Sequence, residues 1–236
     1  MSNRMRTFAG AIALGAALAL AGQAGAAASH NHAAGQDHAA HDHAGHDHGT
    51  DEQIYKGYFE DDQIKDRTLA DWQGEWQSVY PLLRDGTLDQ VMEKKAEKGD
   101  KSAAEYRAYY ETGYRTVVDA ITIDGDTVTF SRAGHDTRGR YAGDGREVLT
   151  YEKGNRGVRF VFKKVSGDAA APDFIQFSDH RIAPASSDHL HLYWGDDRTA
   201  LLSELTNWPT YYPAAMSGEE IAREMAEMIE WASLVV

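Results

Sequence analysis

Thr116-Val117-Val118-Asp119-Ala120-Ile121-Thr122-Ile123-Asp124-Gly125-Asp126-Thr127-Val128-Thr129-Phe130-Ser131 consists of two runs of alternating apolar residues around Asp-Gly-Asp. Alternation at every second place puts the apolar side chains on one face of an extended chain, and a glycine turn between two such runs is a hairpin signature. The pattern continues downstream. Glu147 to Tyr151 and Val158 to Val165 flank Lys153-Gly154-Asn155-Arg156-Gly157, and Asp173 to Phe177 and Leu190 to Trp194 add two more runs. About six turn-linked antiparallel strands predict a small barrel or sandwich.

Upstream the period lengthens. Thr68 can cap a run holding Leu69, Trp72, Trp76, Val79 and Leu83, whose three- and four-residue steps predict one helix. Leu88 to Lys98 and Ser102 to Tyr114 predict two more, with Tyr106, Tyr109 and Tyr110 read as packing. A closing helix is predicted from Ser217, which forms a capping box with Glu220 and leads into the stripe Ile221, Met225 and Met228. The fold class is therefore β-rich α+β, with helices flanking an antiparallel sheet at its N- and C-terminal ends.

The first residues read as an address. Arg4 and Arg6 precede an uncharged apolar run from Ala9 to Ala21, and Ala26-Ala27-Ala28 supplies small residues for cleavage. That is the pattern of a secretory signal peptide over residues 1–28, and its apolar run is shorter than the roughly 20 residues that span a bilayer. No later segment is apolar enough to cross a membrane. Loss of Arg4 and Arg6 takes the net charge from −13 to −15, two positive charges fewer. Such acidity argues against nucleic acid and anionic lipid as partners, since both require basic patches. There is no cysteine, so the exported chain must be held by a core and not by disulfides. About 190 residues remain for that core, enough for one domain.

Ten of the eleven histidines form two groups. His30, His32, His38, His41, His43, His46 and His48 lie in residues 29–51, a tract of Ala, His, Asp and Gly with no large apolar side chain. Such a tract cannot bury enough surface to offset its ordering entropy, which predicts a disordered, metal-collecting arm. The folded domain then covers residues 52–236. Within it stand Asp179-His180 and Asp188-His189-Leu190-His191. Residues two apart on a strand share a face, roughly 6 to 7 Å apart, so His189 and His191 can converge on one ion. The loop Arg181 to Asp188 can return His180 beside them, with Asp179 and Asp188 as candidate acceptors for the ligand rings. Three neutral imidazoles suit Zn²⁺, and also Cu²⁺, Ni²⁺ or Co²⁺, and leave one position of a tetrahedral ion open. Their affinity for the ion is expected to weaken as pH falls through about 6.5. His135, in a polar turn, reads as solvated.

The stretch Asp66-Arg67-Thr68-Leu69-Ala70-Asp71-Trp72-Gln73-Gly74-Glu75-Trp76-Gln77-Ser78-Val79-Tyr80-Pro81-Leu82-Leu83 closely resembles the opening of the ZinT (YodA) metal-binding family. So do Ile175 to His180, the pair His189 and His191, and Asn207-Trp208-Pro209-Thr210-Tyr211-Tyr212-Pro213. The resemblance runs from about Phe59 to Glu227 and implies a lipocalin-like (calycin) barrel. It implies zinc binding in the periplasm, with cadmium and related divalent ions also held, through His180, His189 and His191 at the barrel mouth. It also implies cooperation with the substrate-binding component of the ZnuABC zinc importer. Two departures stand out. Gly139 and Lys164 occupy the places of a cysteine pair found in some members, and Val235-Val236 replaces the terminal histidines of some relatives. The fourth position then falls to water or to the arm.

The function expected is zinc scavenging, not catalysis. A zinc-dependent hydrolase or hydratase is the competing reading, because three histidines and one water can generate hydroxide near neutral pH. An apolar-ligand carrier is a third, from the barrel.

Overall fold

The computed structural model describes residues 48–151, 154–202 and 206–234. The signal segment and six of the seven arm histidines lie outside the described residues. The elements run α1 (His48–Tyr55), β1 (Gly74–Ser78), α2 (Tyr80–Arg84), α3 (Asp89–Lys98) and α4 (Ala103–Tyr114). There follow β2 (Ala120–Asp124), β3 (Thr127–Arg132), β4 (His135–Thr150), β5 (Arg156–Gly167), β6 (Phe174–Ser178), β7 (Leu190–Gly195), β8 (Thr210–Pro213) and α5 (Gly218–Leu234). The helix α1 begins inside the tract expected to be arm, so residues 48–51 are helical. Asp51 in its first turn complements the helix dipole, and its anchoring residues Ile54 and Tyr55 lie just beyond the tract.

The eight strands pair in sequence order, and β1 closes the sheet on β8. The quoted hairpin is β2 and β3, with Asp124 opposite Thr127 and Gly125 at φ 60° in the two-residue turn. β2 starts later than the residue pattern suggests. The Thr116 hydroxyl accepts the Val118 N–H at 3.0 Å and turns the chain before pairing begins. Two strands had no clear signature. The first half of β4 is broken by glycines and charges, and its register slips at Arg140/Tyr141 and Gly143/Arg146. β8 lies among prolines.

The single helix expected from Thr68 to Leu83 is corrected to three pieces. Thr68 does cap, through a box with Asp71, but only a 3-10 turn over Leu69–Trp72. Gln73 leaves helical geometry (ψ 135°) and Gly74 takes φ 128°, a backbone conformation that favours glycine. The chain then pairs as β1, and Pro81 in the first turn starts α2. The apolar spacing mimics a helix because it serves two cores. Leu69, Trp72 and Trp76 enter the barrel, whereas Val79 and Leu83 enter a second core between the barrel wall and α2 to α5.

The lumen core draws on every strand, including Ile121, Phe130, Phe160, Phe177, Leu190 and Tyr211. Trp72 fills its centre with no exposure, stacked on Phe177 at 4.8 Å and edge-on to Phe162 at 6.1 Å. These rings occupy the space that a lipocalin-type apolar ligand would need. Gly139 and Lys164 are not opposite one another: Tyr141 faces Lys164 and Gly139 faces Gly167 across β4 and β5. A Cβ at Gly139 would come within 2.6 Å of the Tyr141 ring. The Tyr141 hydroxyl donates to the Pro172 carbonyl at 2.8 Å, so packing and one buried hydrogen bond stand there.

Because Trp72 carries both the lumen packing and an indole hydrogen bond, Trp72→Ala should lower unfolding free energy by about 3 to 5 kcal/mol. Urea denaturation measures this, and a loss under about 1 kcal/mol would show that the ring is not the centre of the core.

Candidate metal centre

β6 ends at Ser178, and Asp179 and His180 follow it directly. Leu190 and Leu192 of β7 face the lumen, so His191 between them projects from the outer wall. The centre therefore lies on the outside of the barrel, at the end where β6 finishes and β7 and β8 begin. That differs from a site opening into the lumen, which Trp72 and its neighbours fill. His180, His189 and His191 form one cluster whose candidate ligand nitrogens all lie within 4.8 Å of one another. Their ring centroids make a nearly equilateral triangle of 5.6, 5.5 and 5.6 Å. His135 is exposed at the start of β4 and is not a member of this cluster.

Each ring makes a different contact. Thr210, opposite His191 on β8, lies 2.9 Å from His191 Nδ1 through its hydroxyl oxygen. The same hydroxyl donates to the Trp208 carbonyl at 3.0 Å, so it must accept from Nδ1–H. That fixes the tautomer and leaves the Nε2 lone pair free for an ion. His189 is buried and stacks on Tyr212 at 5.4 Å and 17°. His180 stacks on Tyr55 of α1 at 4.7 Å and 28°.

His180 has φ 65°, in the left-handed region that a non-glycine residue adopts at a cost. The loop holds it there. Asp179 Oδ1 accepts the Arg181 N–H at 3.2 Å, an Asx turn across His180. The same oxygen receives Arg67 Nη1 at 2.5 Å, and Oδ2 receives the Trp72 indole at 3.1 Å. Arg67, fully buried in its side chain, also donates to the Ala185 carbonyl and lies 4.0 Å over the Trp72 ring. Asp71 accepts the Ala185 N–H, and its carbonyl accepts the Ser187 N–H. The loop between His180 and His189 is thus tied at several points to the segment that plugs the barrel.

This changes the role expected for the two acids. Asp179 is committed to Arg67 and Trp72, and Asp188 is ion-paired with Arg181. The groups in contact with the rings are instead a threonine hydroxyl and two tyrosine rings. Neither Arg67 nor Tyr55 had a signal in local spacing, since their partners lie 112 and 125 positions away.

Desolvation within the cluster depresses all three imidazoles, although only His189 is buried from the surface. His189 is pushed down to about 4 by burial and then by His180. His191 is held well below its ordinary value by desolvation, with His180, His189 and the buried Arg159 guanidinium adding to the effect. His180 is lowered by desolvation against the pull of Asp179 and a hydrogen bond to the Tyr55 backbone. At neutral pH the three rings are uncharged, the form in which imidazole ligates a metal. Proton competition therefore sets in below the pH of 6.5 expected from unperturbed histidine.

A family model described as ZinT (YodA) periplasmic lipocalin-like zinc-recruitment matches residues 50–228. The "Probable metal-binding protein YrpE" of Bacillus subtilis (strain 168) is 57% identical over 175 residues, 74% of this chain and 70% of that protein. The "Zinc-binding protein AdcA" of Streptococcus pyogenes serotype M1 is 53% identical over 181 residues, 75% of this chain but 35% of AdcA. The chain thus spans about a third of the AdcA proteins it matches. The crystal structure of the Zn(II)-bound ZinT-like domain of Streptococcus pneumoniae AdcA superposes with a TM-score of 0.71 at 49% identity, covering 73% of this chain and 97% of that domain.

Two outcomes follow from the geometry. Arg67→Ala leaves Asp179 buried without its cation and should cost about 3 to 5 kcal/mol in chemical denaturation; a near-neutral effect would remove the pair from its anchoring role. The folded value of His189 lies below its unfolded 6.5, so between these values the unfolded chain binds the extra proton and stability rises with pH. Metal-free protein should therefore lose stability as pH falls from 6.5 towards about 4. Thermal unfolding across that window should slope less steeply in His189→Ala, and equal slopes would exclude a buried neutral His189.

Proposed function

Because the chain belongs to the ZinT (YodA) family of lipocalin-like zinc-recruitment proteins, we propose that it captures Zn²⁺ through His180, His189 and His191 outside the cytoplasm. The reading rests above all on the convergence of three candidate ligand nitrogens within 4.8 Å. Desolvation and the rings' mutual repulsion favour the neutral imidazoles, so binding at neutral pH need not displace protons from charged rings. Zinc with three protein ligands keeps a fourth position open, which suits an ion held as cargo. A receiving protein can add its ligand before these three let go, and transfer then avoids free ion.

The finer parts of the reading are these. Residues 1–28 direct export to the periplasm, and His30, His32, His38, His41, His43, His46 and His48 form an arm that raises local capture. The barrel delivers its ion to the substrate-binding component of the ZnuABC importer. Imidazole chemistry also admits Cd²⁺, Cu²⁺, Ni²⁺ and Co²⁺. A hydrolytic role is less well supported. The family is one of zinc recruitment, and Asp179, the nearest candidate general base, is bound by Arg67 and Trp72.

Isothermal titration of the protein without residues 29–47, which leaves α1 whole, should give one tightly bound zinc per chain. The His189→Ala, His191→Ala double variant of the same protein should lose that phase. Equal binding by both would reject the triad. Restoring residues 29–47 should add weaker equivalents and increase uptake at limiting zinc; unchanged uptake would leave the arm a linker.

A further inference from the structure

The helix α1 ends in a Schellman arrangement. The Tyr58 N–H donates to the Gln53 carbonyl at 2.8 Å, and the Gly57 N–H donates to the Ile54 carbonyl at 2.9 Å, with Gly57 at φ 87°. These bonds satisfy two of the carbonyls that a helix end leaves open, and the carbonyl of Tyr55 comes next in line. His180 makes a hydrogen bond with the Tyr55 backbone, and at the last residue of a helix the open backbone group is the carbonyl, so the ring donates and the Tyr55 carbonyl accepts. An imidazole that donates from one nitrogen presents the lone pair of the other.

The side chain of the same residue works with its backbone. The Tyr55 ring lies against the His180 ring at 4.7 Å, and its hydroxyl donates to Met228 Sδ of α5 at 3.3 Å. The helix end is seated separately, since the Gly57 carbonyl accepts the Arg156 N–H at 2.8 Å. A Cβ at Gly57 would come within 2.4 Å of the Arg156 carbonyl oxygen, so only glycine permits this approach.

We propose that Tyr55 is a positioning residue for His180, its ring and carbonyl together holding the imidazole with one nitrogen turned into the triad, so that α1 forms a wall of the metal centre. His180 needs such a hold more than its partners do. It sits in a left-handed backbone conformation in a loop, whereas His191 is fixed on a strand and His189 directly precedes one. The inference deepens the zinc-binding reading and rests on it. It also makes the segment that follows the histidine-rich tract part of the site, because α1 begins at His48.

The test uses the full chain and three variants: Tyr55→Phe, Tyr55→Ala and Gly57→Ala. Long-range ¹H–¹⁵N spectra of the metal-free protein report the His180 tautomer, and zinc titration reports affinity. Wild type and Tyr55→Phe should show one locked tautomer and zinc affinities within about twofold of each other. Tyr55→Ala removes the ring, and Gly57→Ala pushes the carbonyl away. Both should show an averaged His180 tautomer and zinc binding weaker by about tenfold or more, the usual effect of removing an outer-shell partner. Thermal unfolding of each variant accompanies these measurements. A locked tautomer in Tyr55→Ala and Gly57→Ala would overturn the proposal, as would weaker zinc binding that tracked lost stability alone. A wild type that bound no zinc but kept the tautomer locked would reject the zinc reading and leave the positioning of His180 standing.

Discussion

The buried ion pair between Arg67 and Asp179 is the constraint on which the arrangement of the site depends. Two charges inside a protein are costly unless both are well coordinated, and here they are. Asp179 receives the guanidinium, the Trp72 indole and the Arg181 N–H, while Arg67 also reaches the Ala185 carbonyl and lies on the Trp72 ring. One network therefore joins the plug of the barrel to the loop that bears His180. Trp72 seats the plug in the lumen, Arg67 bridges from plug to loop, and Asp179 sets the backbone beside His180. The loop could slide only by leaving a charge buried without its partner.

On that frame the chemistry is set by how weakly the clustered rings hold protons. His189 is buried and its two partners are only partly covered, yet desolvation disfavours the protonated form of each ring and the rings oppose one another's protonation. The protein thereby holds a set of lone pairs with weak competition from protons. The hydroxyl of Thr210 directs one of them by its own donation to Trp208, a relay in which a backbone carbonyl decides the tautomer of His191.

Much of this was legible in the chain, and the exceptions have physical causes. His189 and His191 could be paired because a strand repeats every two residues, and the β2–β3 hairpin because Asp-Gly-Asp interrupts two alternating runs. The capping box at Ser217 is local in sequence and stands where the residue pattern puts it. The stretch from Thr68 to Leu83 was misread because its apolar residues serve two cores on opposite sides of the barrel wall, and their sum imitates a helical stripe. Arg67, Tyr55 and Thr210 gave no sign of their roles. Each acts on a residue brought near only by closure of the fold, and a composition or period within ten residues carries no record of that.

Among the described residues, closure of β1 on β8 leaves the sheet without an unpaired strand. Many proteins recruit partners by lending a free edge to a strand of the other chain, main chain to main chain. That route is shut here. Recognition by another protein must use side chains, helices or loops on the outer wall, and the metal centre stands on that wall, between the sheet and its helical cover. The surface that can be recognised and the surface that bears the ligands are therefore drawn from the same side of the molecule.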